Sequence, residues 1–182
     1  MDIKRHLKAA LKQLGFDKPR KAQIIPMKTL DAGQDAIVIA ATGSGKQVIY
    51  ETVGLAHSDK LTIVIEPLLA LIYNQVQTLQ AHDISAEYID KDTTKEDTEK
   101  LLKKARKGKL NFLYVTPERL QNSTFSLAVN AVVKAHAVLV AALRNAAVCH
   151  APHLCGLTIP RNFAAVNGCK LLQRKIVISE KL

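Results

Sequence analysis

The sequence has almost no acid in its last third. Of sixteen Asp and Glu residues, fifteen lie in residues 1–120; only Glu180 lies beyond, and no Asp follows residue 97. The later segment still holds seven Lys or Arg, three of the six His and all three Cys, so the two parts carry +4 and +6 of the total charge of +10. This shift marks a compositional boundary near residue 120. The positive excess favours an anionic partner such as nucleic acid.

Long apolar runs are also lacking. The longest uncharged stretch, Asn145 to Pro160, is shorter than the ~20 residues a membrane span needs, and it holds two prolines, a glycine and two histidines. No membrane association is expected. The N-terminal MDIKRHLKAALKQLGF has no apolar secretory core. With no such signal, the odd set Cys149, Cys155 and Cys169 reads as reduced thiols of cytosol or nucleus. Cys149, His150, His153 and Cys155 are close in sequence, but the CxxC and HxxxH spacings of a zinc site are absent, so no metal site is expected there. No internal repeat is visible.

What is present suffices for one core-forming domain: 182 residues, 48% of them hydrophobic. Ile3, Leu7, Ala10, Leu11 and Leu14 recur at helical spacing before Gly15, and a second helix is expected over about Lys21–Leu30. AIVIA (36–40), LTIVIE (61–66), ISAEYI (84–89) and NFLYVT (111–116) read as strands, the first of them buried. Helices are expected from about Lys46 to His57, and from Pro67 through Leu79 with Leu68, Leu71, Ile72, Gln75, Val76 and Leu79 on one face. A further charged helix is capped by Thr94 and Asp97 and ends at Gly108. Apolar strands separated by helices imply an α/β fold with a mostly parallel sheet covered on both faces. Residues 121–182 lack such periodic order.

The segment AATGSGKQ, Ala40 to Gln47, follows a strand and opens a helix. In that setting Gly43 and Gly45 let the backbone turn tightly and offer N–H groups to phosphate oxygens, while the helix presents its positive end to the same anion. Thr42 and Ser44 complete the loop. Lys46 supplies a point charge to the β and γ phosphates. Gln47 stands where a magnesium-ligating hydroxyl is usual, and its amide is a neutral ligand on a longer arm, so magnesium binding and hydrolysis are put in doubt.

The order of motifs over roughly residues 7–120 resembles the first, RecA-like motor domain of RecQ-family DNA helicases in superfamily 2. In LGFDKPRKAQ, Gly15, Phe16, Arg20 and Gln23 match the family's adenine-recognition motif, with Pro19 in place of an aromatic residue. TGSGK matches the loop, and Tyr50 holds its usual place. EPLLALIYNQV (66–76) resembles a segment that touches single-stranded DNA, with Glu66 replacing serine and Asn74 replacing aspartate; a carboxylate at Glu66 would repel a DNA phosphate. YVTPERL (114–120) resembles a second DNA-facing motif.

The resemblance implies ATP and Mg2+ as cofactors, single-stranded or forked DNA as partner, and 3′-to-5′ unwinding as the parent activity. It implies a nuclear location in a eukaryote and a cytoplasmic one otherwise. Lys46 is the expected catalytic residue. Nucleotide contacts fall to Phe16, Arg20, Gln23, Thr42, Gly43, Ser44, Gly45, Lys46 and Gln47. DNA contacts fall to Pro67, Leu68, Gln75, Thr116, Pro117 and Arg119.

The family's Asp-Glu-Ala-His motif, which holds the magnesium shell and activates the attacking water, has no match. Its nearest echo, VVKAHAV (132–138), keeps Ala135 and His136 but has Lys134 in place of acid, and no other carboxylate lies close by in sequence. The expectation is therefore a helicase lobe over 1–120 and a divergent basic tail over 121–182, out of the family's register or poorly ordered, with the sheet cut off after its fourth strand. A nucleotide- and nucleic-acid-binding pseudo-helicase and a non-functional truncated product remain the alternatives.

Overall fold

The structure, a computed structural model, describes residues 2–41, 43–135, 138–144 and 174–180. The four apolar runs form β1 (Ala36–Ala40), β2 (Leu61–Ile65), β3 (Ala86–Ile89) and β4 (Phe112–Val115). Helices α1 (Arg5–Gln13) and α2 (Lys21–Asp31) precede β1; α3 (Lys46–Ala56), α4 (Leu69–Ala81) and α5 (Lys95–Arg106) connect the strands. After β4 come α6 (Pro117–Gln121), α7 (Ser123–Ala135), β5 (Val138–Arg144) and β6 (Arg174–Glu180).

Local chemistry explains these boundaries. Leu7, Ala10 and Leu11 bury one face of α1, and Gly15, at φ +83°, turns the chain out of it. At α5 the Thr94 hydroxyl oxygen accepts from the Asp97 N–H at 3.1 Å and its O–H donates to the Asp97 carboxylate at 2.8 Å. Glu96 and Asp97 in the first turn and Lys103, Lys104 and Arg106 in the last complement the helix dipole.

The six strands form one parallel sheet in the order β1-β6-β5-β2-β4-β3. One core lies under α1 to α4 and includes Leu11, Met27, Tyr50, Val64, Ile72, Phe112 and Tyr114. The other lies on the opposite face and joins Ile63, Leu113 and Val115 to Leu102 of α5 and to Phe125, Val129 and Val132 of α7. Among the described residues, no helix is long and apolar enough to cross a membrane.

Three expectations are corrected. The sheet does not end at four strands: VLVAALR and RKIVISE, beyond residue 120, enter between β1 and β2. Ladder hydrogen bonds come from the backbone, and these runs are apolar enough to accept them despite their missing acids. Strand β1 is not buried on both faces. It is an edge strand, where Val38 points into the core while Ile37 and Ile39 are each 64% exposed. Helix α4 starts at Leu69 rather than Pro67, because Leu68 is still extended at φ −102° and ψ 105°. Leu68 and Leu71 consequently stay exposed, and Ile72, Gln75, Val76 and Leu79 form the buried stripe.

Candidate nucleotide site at the carboxyl edge of the sheet

In a parallel sheet every strand delivers its carboxyl end to the same edge, and there the loops after β1, β2 and β4 emerge. The loop after β1 is the glycine loop. Gly43 and Gly45 adopt φ +73° and +83°, a region closed to most side chains. A Cβ on Gly45 would stand 2.5 Å from Gln23 Nε2, so this glycine also admits its neighbour. Ser44 Oγ is buried without a hydrogen-bond partner, an orphan donor in the middle of the loop. Lys46 Nζ donates to the carbonyls of Ala40 and Ala41, 2.9 Å each, within the loop's own turn. Thr42 lies outside the described residues.

The residues upstream converge on this loop. Arg20 Nη1 donates to the Gly43 carbonyl at 3.0 Å, and Gln23 Nε2 donates to the Gly45 carbonyl at 2.8 Å. Gln23 Oε1 accepts from the Arg20 N–H at 2.7 Å, which caps α2. Gln23 is buried, whereas Phe16, in the turn ahead, is 45% exposed. An amide has two N–H donors and two lone pairs, so Gln23 keeps one of each after these bonds. A free pair of this kind matches the donor and acceptor edge of adenine. The two glycines, the orphan Ser44 hydroxyl and the Arg20–Gln23 clasp fit a nucleotide phosphate with an adenine at the α2 end.

Gln47 fits magnesium poorly. Its Nε2 donates to Glu51 Oε1 at 2.8 Å, one turn along α3. Tyr114 Oη donates to the same oxygen at 3.3 Å, and beside them Tyr50 Oη donates to Gln75 Oε1 at 3.0 Å. Burial raises the Glu51 carboxyl; the bonds from Gln47 and Tyr114 oppose this, and the balance lies at about 7. Burial and the nearby carboxylates push the Tyr50 and Tyr114 hydroxyls well up, so both remain donors. Glu51 escaped the sequence reading. Its signal was a lone acid inside the apolar run VIYETVGL.

The expected DNA-facing residues divide. Glu66 is buried, and its carboxylate accepts from the Leu68 N–H at 2.9 Å. The chain turning from β2 into α4 supplies an N–H that the carboxylate satisfies, so the charge expected to oppose a DNA phosphate is turned inward. Gln75 is buried and holds Tyr50, so it is not a surface contact. Thr116 is buried, with its Oγ unpartnered at the carboxyl end of β4. Pro117 is the first residue of α6. Arg119 is engaged internally: Nη2 donates to Thr98 Oγ1 at 3.0 Å, and the guanidinium lies 5.3 Å from the centre of the Phe125 ring. Pro67 is half-buried and Leu68 exposed.

The acidic motif's echo is also relocated. Lys134 and Ala135 end α7, ahead of the amino end of β5 and hence toward the edge opposite the glycine loop. His136 lies outside the described residues, as do the four clustered Cys and His residues. Strand β5 ends in Leu143-Arg144, neither of them an acid. The lone late acid, Glu180, ends β6, and the register sets it opposite Ala40, next to the loop.

Parallel sheet, flanking helices and glycine loop define a RecA-like P-loop domain. A family model described as DEAD/DEAH box helicase matches residues 19–141, more than half of the sequence, and the chain belongs to that family. Its relatives include the ATP-dependent DNA helicase RecQ of Haemophilus influenzae, 38% identical over 111 residues, which are 61% of this chain and 18% of that protein. The RecQ-like DNA helicase BLM of Xenopus laevis is 35% identical over 123 residues, 66% of this chain and 9% of that one. The chain thus spans less than a fifth of the length of these relatives. Among solved structures, the DUF1998 helicase MrfA bound to DNA superposes at a TM-score of 0.74 with 16% identity, over 98% of this chain and 26% of that one. At that identity the likeness establishes the fold.

Proposed function

We propose that the chain is the first motor lobe of a RecQ-type helicase, that it binds ATP at residues 40–47, and that by itself it turns ATP over very slowly. The observation that carries this reading is the clasp of Arg20 and Gln23 on the carbonyls of Gly43 and Gly45. A plain strand-to-helix turn has no need of it, whereas an adenine reader tied to a phosphate loop does. In this reading Lys46 leaves the Ala40 and Ala41 carbonyls to meet the β and γ phosphates, and Ser44 Oγ finds its partner there. Bound Mg2+ would neutralise phosphoryl charge, and at the position next to Lys46 it would meet the Gln47 amide in place of a hydroxyl.

DNA runs, in this reading, along the carboxyl edge. Exposed Leu68 and Leu71 beside Pro67 offer apolar surface for bases and sugars, and the inward turn of Glu66 removes a charge that would oppose phosphate. The net charge of +10 supports a nucleic-acid partner. The boundary proposed near residue 120 separates the motif-bearing lobe from a basic segment that lends strands to the same sheet. The 3′-to-5′ unwinding of the whole parent protein needs a second lobe to close on ATP. The workplace is the compartment that holds DNA: nucleus in a eukaryote, cytoplasm otherwise.

A second reading, nucleotide binding without turnover, is favoured by the Gln47–Glu51 bond and by the acid-free end of β5. An ATPase assay of the chain beside Gln47→Ser decides between them. A rise of tenfold or more, on the order that one catalytic contact contributes, marks Gln47 as the dominant lesion. No rise assigns the block to the missing acidic pair and supports the second reading. Robust strand separation by the unmodified chain, lost in Lys46→Ala, overturns the claim of slow turnover.

A further inference from the structure

At the far end of α3 from Lys46, roughly 16 Å away at 1.5 Å per residue, three helices meet on one buried carboxylate. Asp31, the last residue of α2, has a side chain only 2% exposed. His6 Nε2, from the first turn of α1, stands 2.5 Å from Asp31 Oδ1, and His57 Nε2, at the C-cap of α3, stands 3.0 Å from the same oxygen. Lys4 Nζ pairs with the other oxygen, Oδ2, at 2.7 Å. The two imidazole rings meet edge to face with centroids 5.8 Å apart. One ligand atom from each of His6, Asp31 and His57 falls within 4.8 Å of the others.

We propose that His6 Nε2, His57 Nε2 and Asp31 Oδ1 form a binding site for a borderline-soft transition-metal dication, with zinc as the favoured ion, that staples α1, α2 and α3 together. Two imidazoles and one carboxylate suit zinc rather than magnesium or calcium, which take oxygen ligands. Four-coordinate zinc at bonds of about 2.0–2.1 Å sets its ligand atoms roughly 3.3 Å apart. The two contacts on Asp31 Oδ1, 2.5 and 3.0 Å, open to that spacing by side-chain rotation, with Lys4 retaining Oδ2. The ends of α2 and α3 both supply negative dipole, which favours a cation where Asp31 and His57 sit. The His6 side chain is 43% exposed, so it opens a path for entry and leaves a water or an external group to complete the shell. An ordinary ion-pair knot would need one basic partner for this carboxylate; here Lys4 already provides it, and two imidazoles are added on the remaining oxygen.

The test is zinc titration of the full chain by calorimetry, with thermal unfolding in Zn2+, Mg2+ or chelator and with Co2+ as an optical probe. The expected results are saturable one-to-one zinc binding, an unfolding midpoint raised by Zn2+ and not by Mg2+, and the ligand-field absorption of four-coordinate Co2+. His6→Ala and His57→Ala each weaken zinc binding about tenfold or more, on the scale of losing one metal contact. The Cys149→Ser/Cys155→Ser double variant, which removes the two thiols of the Cys-His cluster in the tail, keeps it. Should His57→Ala fail to fold, the half-exposed His6→Gln gives the same reading. Retention of full zinc affinity in the His6 variants, its loss in the cysteine double variant, or no saturable zinc binding by the chain would each overturn the site.

Discussion

Gln47 and Glu51 show how one exchange at a loop constrains the residue a turn later. The Gln47 amide nitrogen donates to Glu51, so the side chain standing where a hydroxyl would hold magnesium is anchored to a buried carboxyl. That carboxyl, raised by burial to about 7 from an ordinary 4.5, favours its neutral form in the folded chain. Between pH 4.5 and 7 the native state therefore binds more protons than the unfolded one. Stability falls as pH rises through that window and levels off above it. Glu51→Gln keeps the shape and an acceptor for Gln47 and removes the titration. Urea unfolding at pH 5 and pH 8 is expected to show the variant gaining, relative to the unmodified chain, by about 2–3 kcal/mol on going to the higher pH. Equal pH slopes for the two proteins would show that Glu51 is not the buried titrating group. Lys46 and its glycines were legible from sequence because their spacing carries the chemistry. The inward turns of Glu66, Gln75 and Arg119 were not: Gln75 and Arg119 depend on partners far along the chain, Tyr50 and Thr98, and Glu66 on a local turn that leaves α4 starting only at Leu69.

Helix α3 joins the nucleotide loop to the core, and Gly54 sets how closely it lies on the sheet. A Cβ there would collide with the Thr62 hydroxyl of β2 and stand 2.9 Å from Phe112 Cε1 of β4. Alanine is the better helix former by about 1 kcal/mol, yet the clash is with buried atoms on two strands. Gly54→Ala is expected to destabilise by about 1–3 kcal/mol net, read as a lowered midpoint in chemical denaturation. A stabilised variant would show that α3 does not pack as described. Elements with strong periodicity, α1 and the charged α5, fell where sequence placed them. The start of α4 moved by two residues because Pro67 remains outside the helix and Leu68 stays extended. Strands β5 and β6 carried no legible signal of membership, since their pairing is set by backbone partners distant in sequence: Ile63 beside Val140, and Val38 beside Ile178.

At the scale of the molecule, the sheet order explains what the lobe holds and what it lacks. The glycine loop follows β1, and the segments proposed to meet DNA follow β2 and β4. At ~4.8 Å per strand step, the segment after β2 lies roughly 14 Å from the glycine loop along this edge and the segment after β4 roughly 19 Å. The intervening carboxyl ends belong to β5 and β6, which finish in Arg144 and Glu180. That β5 ends in a basic rather than an acidic residue fits the proposal that this edge holds a nucleotide more readily than it cleaves one. Family membership and fold followed from motifs within residues 7–120; the completed sheet did not, because the later segment has apolar runs without helical or alternating order. The central claim is that this edge binds ATP through the glycine loop. Titration of the full chain with a fluorescent ATP analogue, beside a Lys46→Ala variant of unchanged circular dichroism, tests it most directly. Saturable binding that unlabelled ATP competes away and that Lys46→Ala weakens at least tenfold is the predicted result. No saturable binding, or equal binding by the two proteins, would contradict it.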